Sequence, residues 1–306
     1  MSYVGPEFDS PQSRRPRRGP LTVALVALVP GALVGWFVYE AVGGSGDSGS
    51  AAAGASASAV ASSAAGSPSV GASNDDKPPN SRPLTGKVVV IDPGHNITNF
   101  QHTAEINRKV DIGTNWKECD TTGTSTNAGY AEAQFTMDVS HRLEKILERQ
   151  GATVKLTHDG GSPSWGPCVD QRAKIGNDAH ADAAISIHAD GAPVGDRGFH
   201  VILPGSVHAG AADTRAIVAP SAVLGRNIES DYRRATGEPP ANYVGDGTGL
   251  VTRKDLGGLN LSTVPKVFIE CGNMRDSKDA ALLTNGAWRQ AAAQGISEGI
   301  VSFLRG

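Results

Sequence analysis

The stretch Val88–Asn96, VVVIDPGHN, is a run of β-branched residues that ends in a Pro-Gly pair and delivers a histidine directly afterwards. Such a run bounded by a turn signal reads as a short buried strand. Working outward from it, β-branched runs alternate with longer helical stretches: KVVVID, residues 130–149, ATVKLT, residues 170–179, AAISIH, FHVILP, residues 221–235, KVFIE and residues 288–304. In the first helical stretch Phe135, Val139, Leu143, Ile146 and Leu147 recur at steps of three and four, which makes one apolar stripe. Strands alternating with helices predict an α/β fold with a mostly parallel sheet. No internal repeat interrupts the pattern.

The first eighty or so residues have a different composition. Residues 1–20 carry RRPRR at 14–18 and read as a basic cytoplasmic N-terminus; residues 21–42, LTVALVALVPGALVGWFVYEAV, hold a single charge at Glu40. No Lys or Arg follows until Lys77, so the positive-inside rule places the rest of the chain outside the cytoplasm. The apolar segment is an uncleaved transmembrane anchor or a cleaved signal sequence, and its length favours the anchor. A twin-arginine signal at Arg14-Arg15 is a weak match, because Arg17 and Arg18 stand where a hydrophobic residue is expected. Residues 43–83, rich in Gly, Ala and Ser, have too few large apolar groups to offset the entropy of ordering and read as a disordered linker. Residues 84–306 then form a single catalytic domain, expected as a monomer. From Arg82 onward 23 Lys and Arg face 25 Asp and Glu, a net of −2, which excludes a basic surface for nucleic acid.

In a parallel sheet the strands point the same way, so residues at their carboxyl ends gather at one rim where ligands bind. Three predicted strands end in metal-capable side chains: His95, His188 and Glu270. Glu132 opens the first helix three residues before Phe135, on the core-facing side, where an acid needs a partner. Two histidines and an acid offer the donors of a catalytic zinc site, and a second acid beside them can take the proton from water. His158 also follows a strand and is a candidate substrate contact. His200 reads as a strand-face residue, and His102, His141, His180 and His208 have ordinary surface readings. Of the three cysteines, Cys119 and Cys168 lie in loop-like stretches and are expected to form a disulfide in an oxidising exterior, whereas Cys271 ends a strand.

Four blocks in order, IDPGHN, AEAQFTMDVSHRLEKIL, QRAKIGNDAHADAAISIHAD and VPKVFIECGNMRD, resemble the zinc-dependent N-acetylmuramoyl-L-alanine amidases, type 3, over about residues 87–304. The resemblance implies a twisted sheet with helices on both faces. It implies Zn2+ held by His95, Glu132 and His188, and Glu270 as catalytic acid/base. It gives Arg172 and Asn177 a supporting role around the strand that carries the second histidine. The expected partner is peptidoglycan, cut outside the cytoplasm of a bacterium between N-acetylmuramic acid and the L-alanine of the stem peptide. Three features depart from the family's pattern or leave it open. Thr157-His158-Asp159 replaces a Thr-Arg-Asp-like end of strand, and Asn273 stands where a bulky apolar residue is usual. Residues 221–235 fall in an interval that holds an inhibitory helix in some relatives, and a core element is expected here. The rival readings are a zinc carboxypeptidase or deacetylase on another amide, and a non-catalytic wall-binding or activator protein on the same fold.

Overall fold

The computed structural model describes residues 82–306. The predicted basic N-terminus, the apolar segment 21–42 and nearly all of the 43–83 linker lie outside the described residues. Among the described residues no helix is long and apolar enough to cross a membrane.

Six strands form the central sheet: β1 (Val88–Pro93), β2 (Thr153–Leu156), β3 (Ala183–Asp190), β4 (His200–Pro204), β5 (Leu250–Arg253) and β6 (Lys266–Asn273). Their spatial order is β2-β1-β3-β6-β4-β5. Every neighbouring pair is parallel except β6 with β4, so the sheet is mostly parallel, as the alternation predicts. The reversal brings the first residue of β4 to the rim where β1, β3 and β6 end. The larger helices are α1 (Glu132–Arg149), α2 (Val169–Asp178), α3 (Val218–Thr236), α4 (Ser277–Leu283) and α5 (Gly286–Arg305).

The pleat divides the sheet into two chemically different faces. On one, Val89, Ile91, Ile185, Ile187, Val267 and Ile269 are fully buried against α1, α3 and α5. The stripe read from the sequence supplies α1's share of this core, with Phe135, Val139, Leu143 and Leu147 at 0% exposure. Each such side chain contributes about 1.5–3 kcal/mol by leaving water. The 221–235 stretch lies within α3, which is a core element: Leu224, Ile228 and Tyr232 are fully buried. A Cβ on Gly299 of α5 would lie 2.5 Å from the Cα of Ile228, so a glycine there lets the two helix backbones touch.

On the opposite face Ile175 of α2 and the following Ala179 pack against Val88, Val90 and Ala184. Further along the strands this face carries Asp92, Ser186, His188, Lys266, Phe268, Glu270 and His200, the residues from which the site is built. A disulfide joins Cys119 to Cys168 at the start of α2, and Cys271 is a buried free thiol, as the cysteine positions predict.

Of the sheet strands and larger helices, two escaped the sequence pattern. β5 is four residues after a Gly-rich turn, too short to show a period, and α4 is seven residues whose strongest signal is its cap, Asp276, accepting from the amides of Lys278 and Asp279. Asn273 has a structural reason to be polar. It is fully buried, and its side-chain amide donates to the carbonyls of Ala192, Pro193 and Asp196, pinning the loop between β3 and β4.

Candidate metal centre

His95 leaves β1 through the Pro93-Gly94 turn and adopts φ 63°, a left-handed conformation that costs a residue with a Cβ about 1–3 kcal/mol. The turn swings the imidazole back over the strand ends. A Cβ on Gly94 would sit 2.4 Å from Cε1 of His188, and one on Gly123 would sit 2.8 Å from Oε2 of Glu132. Glycine at both places lets the chain close around three donor groups.

Those groups converge. Nε2 of His95 lies 3.1 Å from Oε2 of Glu132, and Nδ1 of His188 lies 3.0 Å from Oε1. Ligand atoms of the three residues all fall within 4.8 Å of one another. The rings of His95 and His188 meet edge to face at 5.0 Å. Tetrahedral zinc with bonds of about 2.0–2.2 Å separates neighbouring donors by about 3.4 Å, so donors already gathered within 4.8 Å of one another need only small shifts to close on such an ion. Glu132, 4% exposed, finds the partners an inward acid requires: both histidines and the amides of Thr124 and Ala189.

The far sides of both rings are also held. Nδ1 of His95 meets the carbonyl and hydroxyl of Thr121, each at 3.1 Å, with Asp120 at 3.7 Å. Nε2 of His188 meets the hydroxyl of Ser186 at 3.2 Å. Burial opposes a charge on His95, but Glu132 and Asp120 outweigh it and raise the imidazole to about 10. Burial likewise opposes charge on Glu132, yet the two histidines hold its carboxyl well below the usual range. A triad that draws protons this strongly is one that a cation of higher charge can occupy by displacing them.

Glu270 is the register partner of His188 on one side and of His200 on the other, so the three stand in a row across β3, β6 and β4. Its Oε2 is buried without a hydrogen-bond partner. Burial, then Glu132 and Asp190, push its carboxyl well above the usual carboxylate range, the direction expected of a group that accepts a proton. His200 is buried, and burial lowers its imidazole to about 4 against the pull of Asp190. Tyr243 lies edge-on to His200 at 5.9 Å and donates to Asp190 at 2.7 Å. A cavity of about 240 Å³, lined by Lys117, Val169, Ser186, Leu256 and Phe268 among others, opens beside the two histidines.

The remaining predicted residues are placed differently from one another. Arg172 is 4% exposed, and its guanidinium donates to Pro167 O, Asp92, Pro93 O, His95 O and Asp120, so it braces the strand of the first histidine rather than the second. Asn177 clamps Leu261 O and Thr263 N ahead of β6, the strand that carries Glu270. His158 is 5% exposed, its Nε2 against the Pro93 carbonyl at 2.9 Å; burial lowers its pKa, and it supports the end of β1 instead of facing a ligand. Of the histidines read as ordinary, His141 pairs with Asp159 and His208 with Asp213 at the surface.

Residues 89–302 match the family model Amidase_3, N-acetylmuramoyl-L-alanine amidase. The N-acetylmuramoyl-L-alanine amidase Rv3717 of Mycobacterium tuberculosis is 40% identical over 222 residues, 72% of this chain and 88% of that one. Among solved structures, the N-acetylmuramyl-L-alanine amidase Ami1 of Mycobacterium smegmatis superposes with a TM-score of 0.65 at 38% identity, over 72% of this chain and 98% of that one. The apo form of Ami1 from Mycobacterium abscessus gives 0.66 at 37% identity, over 72% and 100%.

Proposed function

Since the chain belongs to the N-acetylmuramoyl-L-alanine amidase family, we propose that it hydrolyses the amide between N-acetylmuramic acid and L-alanine of peptidoglycan, using Zn2+ held by His95, Glu132 and His188 and Glu270 as acid/base. The observation that carries this reading is the convergence of two imidazole nitrogens and one carboxylate on a point beside a buried, unpartnered Glu270 oxygen. An amide is a poor electrophile, and a zinc ion held by these three residues would supply Lewis acidity to polarise its carbonyl and to lower the pKa of water to about 7. Glu270 accepts a proton from the attacking water and delivers it to the alanine nitrogen as the carbon–nitrogen bond breaks. The products are a muramic acid carboxylate and a stem peptide with a free amino terminus. Ser186 and Thr121 hold the outer nitrogens of the two histidines, and Arg172 fixes the turn from which His95 projects.

All four groups come from one chain, so a monomer suffices. The substrate lies outside the cytoplasm, and the basic-then-apolar N-terminal sequence supplies the means to reach it, as anchor or as export signal.

Mass spectrometry of purified peptidoglycan treated with the protein, with and without a chelator, tests bond and metal together. Intact stem peptides with new L-alanine amino termini, abolished by the chelator and restored by zinc, are expected. Release of terminal amino acids alone, or of acetate, would assign the site to a carboxypeptidase or a deacetylase instead, and no release at all would point to a non-catalytic wall protein.

A further inference from the structure

We propose that Ser186, backed by Asp92 and Lys266, is the positioning residue that presents Nδ1 of His188 to the metal; this rests on the metal-site reading above. His188 turns Nδ1 toward Glu132, which leaves Nε2 facing the Ser186 hydroxyl at 3.2 Å. A ring that gives its Nδ1 lone pair to a metal carries its proton on Nε2, and that proton needs an acceptor. A serine hydroxyl accepts only in the orientation its own proton allows. Here the proton has two destinations, Oδ2 of Asp92 at 2.9 Å and the Asp92 carbonyl at 3.3 Å, and both are acceptors. The hydroxyl therefore donates to Asp92 and turns a lone pair to His188.

That polarity depends on Asp92 being an anion while only 1% exposed. Two cations secure it. Arg172 donates to Oδ1 at 2.8 Å, with the Thr157 hydroxyl at 2.7 Å, and Lys266 donates to Oδ2 at 3.1 Å. Burial alone would raise the Asp92 carboxyl; Lys266 and Arg172 reverse this and hold it far below the ordinary range.

Lys266 is the unusual member. It is 2% exposed, and Asp92 is its single side-chain hydrogen-bond partner among the described residues. Its ammonium also lies 5.5 Å from the centre of the Phe268 ring, and that ring stacks on His188 at 5.3 Å with an 8° interplanar angle. A lysine this deep is costly to bury, and its position is explained by what it does to Asp92. His95 needs no such chain, because its outer nitrogen faces a backbone carbonyl that can only accept.

The test measures zinc affinity by chelator competition on the full-length protein, for wild type, Ser186→Ala, Lys266→Met, Lys266→Arg and Ser186→Ala/Lys266→Met, with circular dichroism to confirm folding. Ser186→Ala is expected to weaken zinc binding by about 10- to 100-fold. Lys266→Met shifts affinity the same way, Lys266→Arg restores most of it, and the double variant is no weaker than Ser186→Ala alone, because Lys266 acts through Ser186. The visible spectrum of the Co2+-substituted protein should change in Ser186→Ala as the ring reorients. Wild-type affinity and spectrum in a folded Ser186→Ala would overturn the proposal, as would additive losses in the double variant. If Lys266→Met does not fold, Ser186→Ala carries the test by itself. A wild-type protein that binds no zinc would instead overturn the metal-site reading on which the proposal rests.

Discussion

Replacing Cys119 and Cys168 together by alanine should remove about 4 kcal/mol of stability. The two residues are 49 positions apart, and cross-linking a loop of that length restricts the unfolded chain by about this amount in the chain-entropy account. Alanine is the right replacement, because both positions are buried and a serine would add an unpaired hydroxyl to the loss. Set against a typical total of 5–15 kcal/mol, the change should lower the thermal midpoint of a domain this size by about 10 °C. The damage is not confined to stability. Cys119 is followed by Asp120 and Thr121, which hold His95, and Cys168 opens the helix that carries Arg172. Zinc affinity should therefore fall as well. Guanidinium denaturation of metal-free wild type and double variant, followed by chelator competition, reads both effects. The variant should also show a steeper denaturant slope, since its unfolded chain exposes more surface. Identical midpoints and slopes would refute the argument, because a cross-link that leaves the unfolded state unchanged cannot be closing that loop.

Three further outcomes are expected. His95→Ala and His188→Ala should each lose bound zinc together with activity, and metal content equal to wild type in either variant would remove that residue from the ligand set. Glu270→Gln should keep its zinc while muropeptide release slows by about 10²- to 10⁴-fold; zinc leaving with the activity would make Glu270 a ligand, and normal release would end its catalytic role. Burial, then the Asp279 carboxylate, raise Glu238 to about 7. The folded state thus holds a proton the unfolded state gives up, so this group's stabilisation is present below about pH 4.5 and is lost as pH rises through about 7. Urea denaturation of Glu238→Gln at pH 5 and pH 8 should show a smaller difference between the two than wild type does, and an equal difference would show that Glu238 does not titrate there.

The strands and helices that make the core were legible because each buries a face and so writes a period into the sequence; the stripe from Phe135 to Leu147 is the clearest case. His95, Glu132, His188 and Glu270 were legible as candidates because strand ends and a helix start place them, and topology does the rest. What surrounds them was not. Ser186 sits inside an apolar-looking strand, and its importance comes from Asp92, 94 residues away in sequence. Lys266 reads as a polar boundary to VFIE, and nothing local says that it is buried against that same aspartate. Arg172 was assigned to the wrong strand for a related reason. The family resemblance linked it to the strand of the second histidine, but the guanidinium reaches sideways to β1, which is β3's neighbour in space. His158 misled in the other direction: following a strand placed it near the rim, but not on its open side.

The two-faced sheet makes β6 unforgiving in a particular way. Lys266, Phe268 and Glu270 point to the side of the site, while Val267, Ile269 and Cys271 point into the dry core. Substitutions on the first set act on the charges and contacts of the site, and substitutions on the second act on the packing of the core. Insertion or deletion of one residue within the strand is different in kind, because it exchanges the two sets wholesale. Glu270 would be driven into hydrocarbon and Ile269 turned out toward the histidines, so a one-residue slip would be expected to damage the core and the site at once.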